Sequence, residues 1–258
     1  MTALPEWQLP LTRLVDPGSL APPSLVVPIT VQAGNPRRAS AQLQLSGRQL
    51  VPLGALVDQD TPPAIAEAIG RRDFGDQRGF TGRSLAEASA AATSVTGYVL
   101  DRMVRGYYAI FGQLPDARRV WVTVRVDHRS RYVPLQGPHI DWTRLSTFDD
   151  DDWRPDPPRR SERTLRSLEL CHSLDCVVGG PSTDFFLDPQ PMMVNLMRED
   201  GQPWQVDTVD FPEPGRPSPG ATGQILYRPP FTVHQFPHRS QWPDGDERRL
   251  FVSADFFL

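Results

Sequence analysis

Val120-Trp121-Val122-Thr123-Val124-Arg125-Val126-Asp127 alternates without a break, with four valines on one face and Trp121, Thr123, Arg125 and Asp127 on the other. Strict alternation is the signature of a strand with one apolar face, and it predicts a sheet here. The turn His128-Arg-Ser-Arg131 follows, and Tyr132-Val-Pro-Leu-Gln136-Gly reads as a second strand leading to Pro138-His139-Ile140-Asp141-Trp142. Residues two apart on a strand share a face, so His139 and Asp141 are expected to project together while Ile140 points away. A distant histidine, His234, follows the short apolar run Gln224-Ile-Leu-Tyr227. Two His and one carboxylate around a metal, with open positions opposite, suit a non-haem Fe(II) oxygenase.

Upstream, the chain offers support for that sheet. Leu25-Val-Val-Pro-Ile-Thr-Val31 and Ala41-Gln-Leu-Gln-Leu45 are expected as short strands around a turn at Gly34-Asn35, and Asp60-Thr-Pro-Pro63 opens a short helix through Ile69. Residues 71–82 read as loop. From Ser84 to Phe111, Leu85, Ala88, Ala92, Val95, Val99, Met103, Tyr107 and Ile110 recur at helical spacing. One apolar stripe implies a helix packed on the sheet, and Gly97 allows a break into two. Downstream, residues 143–166 lack periodicity and read as a lid or a solvated loop. Strands are expected at Ser167–Val178, Thr183–Phe186, Met192–Met197, Gln224–Tyr227 and Leu250–Leu258.

Composition narrows the chemistry. The chain has 258 residues and a net charge of −4, with 39% hydrophobic and 22% charged residues, as in ordinary globular proteins. It contains no Lys, which excludes a lysine Schiff base and a Walker-type phosphate loop. Its 28 Pro favour short strands over long helices. Two Cys make no disulfide framework, and no signal peptide or transmembrane run is read at the start. A cytoplasmic protein with no nucleic-acid or membrane partner is expected, its oligomeric state open. We expect one domain over 1–258, with N-terminal strands and supporting helices in 1–115 and the core with its metal site in 116–258.

His-x-Asp, a distal His and an Arg on a final strand together resemble the Fe(II)/2-oxoglutarate-dependent dioxygenases, over about residues 120–258. Pro181-Ser-Thr-Asp-Phe-Phe186 and Gly223-Gln-Ile-Leu-Tyr-Arg-Pro229 are similar to family strands. The resemblance implies a mostly β fold, a double-stranded β-helix (jelly roll, cupin-like) with N-terminal helices packed on one side. It implies His139, Asp141 and His234 as iron ligands, 2-oxoglutarate as cosubstrate, and an arginine holding the distal carboxylate. Either Arg248 or Arg249 could serve. Alternation favours Arg249, because Phe251 and Ser253 then face the barrel while Leu250, Val252, Ala254 and Phe256 form one apolar face. Phe251 departs from the family's Arg-x-Ser.

Tyr132 and Ser253 are candidates for the cosubstrate, and Trp142, Asn195 and Gln136 for the substrate; each also fits a place at the core edge. His238 is expected in an exposed turn, and Cys171, His172 and Cys176 make a poor zinc set. The resemblance implies hydroxylation, desaturation or oxidative cyclisation of a small molecule, with O2 as co-reactant. Halogenation is not expected, since Asp141 fills the position a halide would need. A cupin-type metal-dependent isomerase or lyase, or a non-catalytic jelly-roll binding module, are the alternatives. An amino-acid-derived intermediate of secondary metabolism is the expected kind of substrate.

Overall fold

A computed structural model of the chain describes residues 29–43, 51–132, 138, 171–187, 190–201, 205–210, 216–229, 232–242 and 248–257. The chain is mostly β. In order, the elements are β1 (Ile29–Gln32), β2 (Asn35–Leu43), β3 (Val51–Ala55), α1 (Pro63–Gly70), β4 (Phe80–Ser84), α2 (Leu85–Ala90), α3 (Ser94–Phe111) and β5 (Val120–His128). There follow β6 (Cys171–Gly179), β7 (Asp184–Leu187), β8 (Met192–Met197), β9 (Gln205–Asp210), β10 (Arg216–Pro219), β11 (Gln224–Arg228), β12 (His234–Gln235) and β13 (Arg248–Phe257).

The strands form three sheets. A six-stranded sheet runs β3-β11-β6-β13-β5-β4, a three-stranded one β10-β7-β12, and a four-stranded one β1-β2-β8-β9. The alternating valines do what their period predicts: β5 pairs antiparallel with β13 along its whole length, Arg249 opposite Asp127 and Val252 opposite Val124. Val120, Val122 and Val124 face a core completed by Leu250, Val252, Ala254 and Phe256 of β13 and by Val99, Met103, Tyr107 and Ile110 of α3. Each such side chain removed from water contributes on the order of 1.5 to 3 kcal/mol, so this seam dominates the fold's hydrophobic stabilisation. Strands from both halves of the chain share the sheet, since β3 pairs with β11 and β5 with β13.

Two local expectations change. Residues 80–82, read as loop, belong to β4, which pairs with β5 through an irregularity between Phe80 and Arg83. Gly82 sits there at φ +71°, and a Cβ on it would fall 2.3 Å from Trp121 Nε1, so only glycine lets the two strands meet. The helical stretch is indeed two helices, but the break falls at residues 91–93 and Gly97 lies inside α3. A reciprocal capping box between Ser84 and Glu87 starts α2, and the Gln77 side chain accepts from Thr93 N at 2.9 Å where α3 begins. Gly112, at φ 71°, ends α3 in the left-handed conformation. Among the described residues no helix is long and apolar enough to cross a membrane.

Candidate functional site

The face of β13 turned away from the helices carries Arg249, Phe251, Ser253 and Asp255, and the first three are buried. Arg249 is wholly inaccessible. Its Nε donates to Pro181 O at 2.9 Å, Nη1 to Asp127 Oδ2 at 3.1 Å, and Nη2 to Thr183 Oγ1 at 3.0 Å. Burial pulls the guanidinium's pKa down, and Asp127 opposes that shift. Asp127 also accepts from Arg125 Nη2 at 3.0 Å, and Arg125 lies 3.8 Å over the Phe236 ring. The result is a packed ionic cluster of Arg249, Asp127 and Arg125 beside Phe236 and Phe251, whose rings meet edge to face at 5.8 Å. Arg248, its neighbour in sequence, points the other way and donates to Gly75 O. The register expected from alternation therefore holds.

His234 is buried on β12, its ring stacked at 6.3 Å on Phe185, its partner on β7. His234 Nδ1 lies 3.1 Å from Thr232 O, and a carbonyl can only accept, so Nδ1 carries the proton and the ring's lone pair is on Nε2. A backbone carbonyl that fixes the tautomer in this way is the usual second partner of a metal-binding histidine. Thr183, which takes Arg249 Nη2, stands two residues before Phe185. Two extended residues span roughly 7 Å, so β7 bridges the elements that carry Arg249 and His234 at close range.

The other candidates are placed as follows. Tyr132 is buried and its ring lies 5.2 Å from that of Trp242. Ser253 shares the face of Arg249, but its hydroxyl donates to Asp175 Oδ1 at 2.7 Å, far along the strand from the guanidinium. Asn195 is half-buried on β8, in the sheet that includes neither His234 nor Arg249. His139, Asp141, Trp142 and Gln136 lie outside the described residues, as does the stretch 143–166. Among the described residues no three His, Cys, Asp or Glu converge as a metal set. His238 is exposed and its Nδ1 lies 2.9 Å from Ser240 Oγ. His172 is buried in the helix-side core, where Nδ1 meets Tyr227 OH at 2.7 Å.

Further polar side chains pair on these strands. Asp175 of β6, Arg228 of β11 and Asp255 of β13 form a buried ionic group, with Arg228 Nε donating to Asp175 Oδ2 at 2.6 Å. Thr183 joins Arg249 only through tertiary packing, as the acceptor from Nη2. A recess of about 440 Å³ is lined by Gly180, Pro181, Ser182, Pro219, Thr222 and Gln241. One of its lining residues, Pro181, accepts from Arg249 Nε, yet neither Arg249 nor His234 lines it. Compared with protein-family models and with curated protein sequences, the chain matches none.

Proposed function

We propose that the protein is a non-haem Fe(II)- and 2-oxoglutarate-dependent oxygenase acting on a small molecule, with His139, Asp141 and His234 as iron ligands and Arg249 as the cosubstrate's anchor. One observation carries the proposal: a fully buried arginine on the inner face of the last strand, joined across β7 to a buried histidine of fixed tautomer. A guanidinium in that setting is suited to a carboxylate, because the contact is charge-assisted and can be bidentate. Three of the five Arg249 N–H groups are used among the described residues, which leaves donors for a ligand.

A double-stranded β-helix is the fold proposed for this site. From β6 onward the chain passes between sheets, with β6, β11 and β13 in the six-stranded sheet and β7, β10 and β12 in the three-stranded one. Such back-and-forth winding suits a jelly roll closed around a buried interior. When bound, iron with 2-oxoglutarate would supply the oxidation of substrate by O2, releasing succinate and CO2. The chain's own contribution is to orient the His234 imidazole through Thr232 O and the ketoacid through Arg249. Burial of this face keeps water from both.

The test is succinate formation by the purified protein with Fe(II), 2-oxoglutarate and O2, with and without amino-acid-derived candidate substrates. Succinate that depends on all three and disappears in His234→Ala supports the assignment. Absence of any ketoacid decarboxylation, with metal binding unchanged in His234→Ala, overturns it and favours the metal-independent binding module.

A further inference from the structure

The recess of about 440 Å³ lies between two connections, residues 180–183 joining β6 to β7 and residues 220–223 joining β10 to β11. Both are tied down. Gly220 N donates to Thr183 O at 2.8 Å, Gly223 N to Val177 O at 2.8 Å, and Thr222 Oγ1 to Gly180 O at 3.3 Å. Two close approaches need glycine: a Cβ on Gly180, at φ +93°, would fall 2.7 Å from Arg249 Cβ, and one on Gly220 would fall 2.6 Å from the Phe185 ring. Backbone contacts therefore hold the walls, and the recess is preformed.

No ionisable side chain lines it. Two charges adjoin the lining residues from behind: Arg249 Nε is engaged by Pro181 O, and Asp184, only 4% exposed, takes the Gln241 amide at 3.1 and 2.9 Å. An ion entering the recess would lose hydration without meeting a countercharge, which disfavours charged ligands. What the recess offers is hydroxyl chemistry beside apolar rings. The Ser182 hydroxyl makes no hydrogen bond among the described residues, so it can both donate and accept. Thr222 Oγ1, having donated to Gly180 O, keeps its lone pairs, and Pro181 and Pro219 add C–H surface.

We propose that this recess binds an uncharged, hydroxyl-rich ring, a monosaccharide or a cyclic polyol. Ligand pockets run from roughly 300 to 1,000 Å³, and this one lies near the small end, which suits one ring rather than several. The site includes neither His234 nor a metal, so it stands independently of the oxygenase proposal. Because Pro181 O holds Arg249 Nε, a ring seated on Pro181 is felt at the guanidinium.

The experiment titrates the isotope-labelled full chain, without added metal, with glucose and with myo-inositol, and follows backbone amides and the Arg249 Nε–H by NMR. Saturable shifts at Gly180, Ser182, Thr222 and Arg249 Nε–H are expected with one or both, and which of the two acts separates sugar from polyol. Glucuronate, the charged counterpart of glucose, is expected to shift none of them. Ser182→Ala should weaken binding roughly two- to tenfold, the loss of one hydrogen bond, and Ser182→Phe should abolish it by filling the recess. Unchanged amide positions in α3 show that each variant is folded. The proposal is overturned if neither neutral probe shifts these signals at about 50 mM, well above a millimolar Kd. It is equally overturned if Ser182→Phe binds as tightly as the unsubstituted protein, or if glucuronate binds as well as glucose.

Discussion

The two faces of β13 are held by opposite means. Toward the helices, Leu250, Val252, Ala254 and Phe256 are buried among aliphatic and aromatic neighbours and need only close packing. Toward the interior, Arg249, Ser253 and Asp255 are held by directed contacts: to Asp127, Pro181 and Thr183, to Asp175, and to Ser173. Burying charge costs several kcal/mol per ion unless it is paired, so a sheet kept only for stability gains nothing from this second face. Within one strand, packing holds one face and directed polar contacts hold the other.

The largest expected effect tests whether the polar face is also a structural element. Asp175→Ala removes the main partner of Arg228, leaving a buried guanidinium whose Asp255 contact is 3.6 Å long. The expected loss is about 3 to 5 kcal/mol in denaturant unfolding, at least as large as the roughly 2 to 5 kcal/mol for Leu250→Ala on the apolar face. Replacing both partners, Asp175→Leu with Arg228→Met, should recover most of that loss, because an apolar pair of similar volume carries no desolvation penalty. A double variant no more stable than Asp175→Ala would mean that shape, and not charge, holds this face.

Next in size is Arg249→Ala. Losing a charge-assisted partner for a buried carboxylate costs roughly 2 to 5 kcal/mol, about thirty- to several-thousand-fold in 2-oxoglutarate affinity, with Fe(II) binding nearly intact. Asp127 keeps its Arg125 contact at 3.0 Å, so the fold should survive. Calorimetry on the form with Mn(II) in place of Fe(II) checks both constants. Unchanged 2-oxoglutarate affinity would make Arg249 a structural cation and move the anchor to another basic residue, with Arg125 the nearest.

What was legible in the sequence follows the same division. Period two in β5 and β13 and the three- and four-residue steps of α3 are properties of single elements, so the apolar face and the inward register of Arg249 could be read directly. β10 could not, since Arg216-Pro-Ser-Pro219 carries prolines that argue against a strand, and it pairs only on one side, with β7. β4 was hidden by Gly82, whose role is set by Trp121 across the sheet. Thr183 and Arg228 lie in stretches that the sequence marks as strand-like, but their partners Arg249 and Asp175 are distant in sequence, and no local pattern gives that pairing. Asn195, a candidate for the substrate or for the core edge, lies in the four-stranded sheet, and strand periodicity does not say which sheet a strand joins.

A smaller effect concerns His172, buried on the helix side of β6. Burial lowers the His172 pKa to about 4 from 6.5, and Tyr227 OH is its hydrogen-bonding neighbour. Between those values the unfolded chain binds a proton that the folded chain refuses, so His172 costs stability as pH falls through that window. The full cost, on the order of 3 kcal/mol, is reached near pH 4 and is absent above 6.5. Other carboxylates titrate there too, so the measurement is the difference between the protein and His172→Gln, unfolded at a series of pH values. That difference should shrink toward acid; a constant difference would mean that the imidazole is solvated.

The smallest expected effect, Arg248→Ala, fixes the register that the whole comparison depends on. Adjacent residues on a strand point to opposite faces, so Arg248 and Arg249 cannot both serve the interior. Arg248 is half-buried on the helix side, donating to Gly75 O at 3.2 Å and lying 5.4 Å from the Phe74 ring centroid. A neutral acceptor and a cation–π contact at that range together contribute about 1 kcal/mol. Arg248→Ala should therefore lower stability by about that amount and leave 2-oxoglutarate affinity within about twofold, a shift below 0.5 kcal/mol. Measured beside Arg249→Ala on the same Mn(II) form, the pair gives a contrast that total stability alone cannot. If Arg248→Ala instead abolishes 2-oxoglutarate binding while Arg249→Ala spares it, β13 is displaced by one residue. Such a slip would turn Leu250, Val252 and Ala254 toward the interior, and a period-two strand gives no intermediate arrangement.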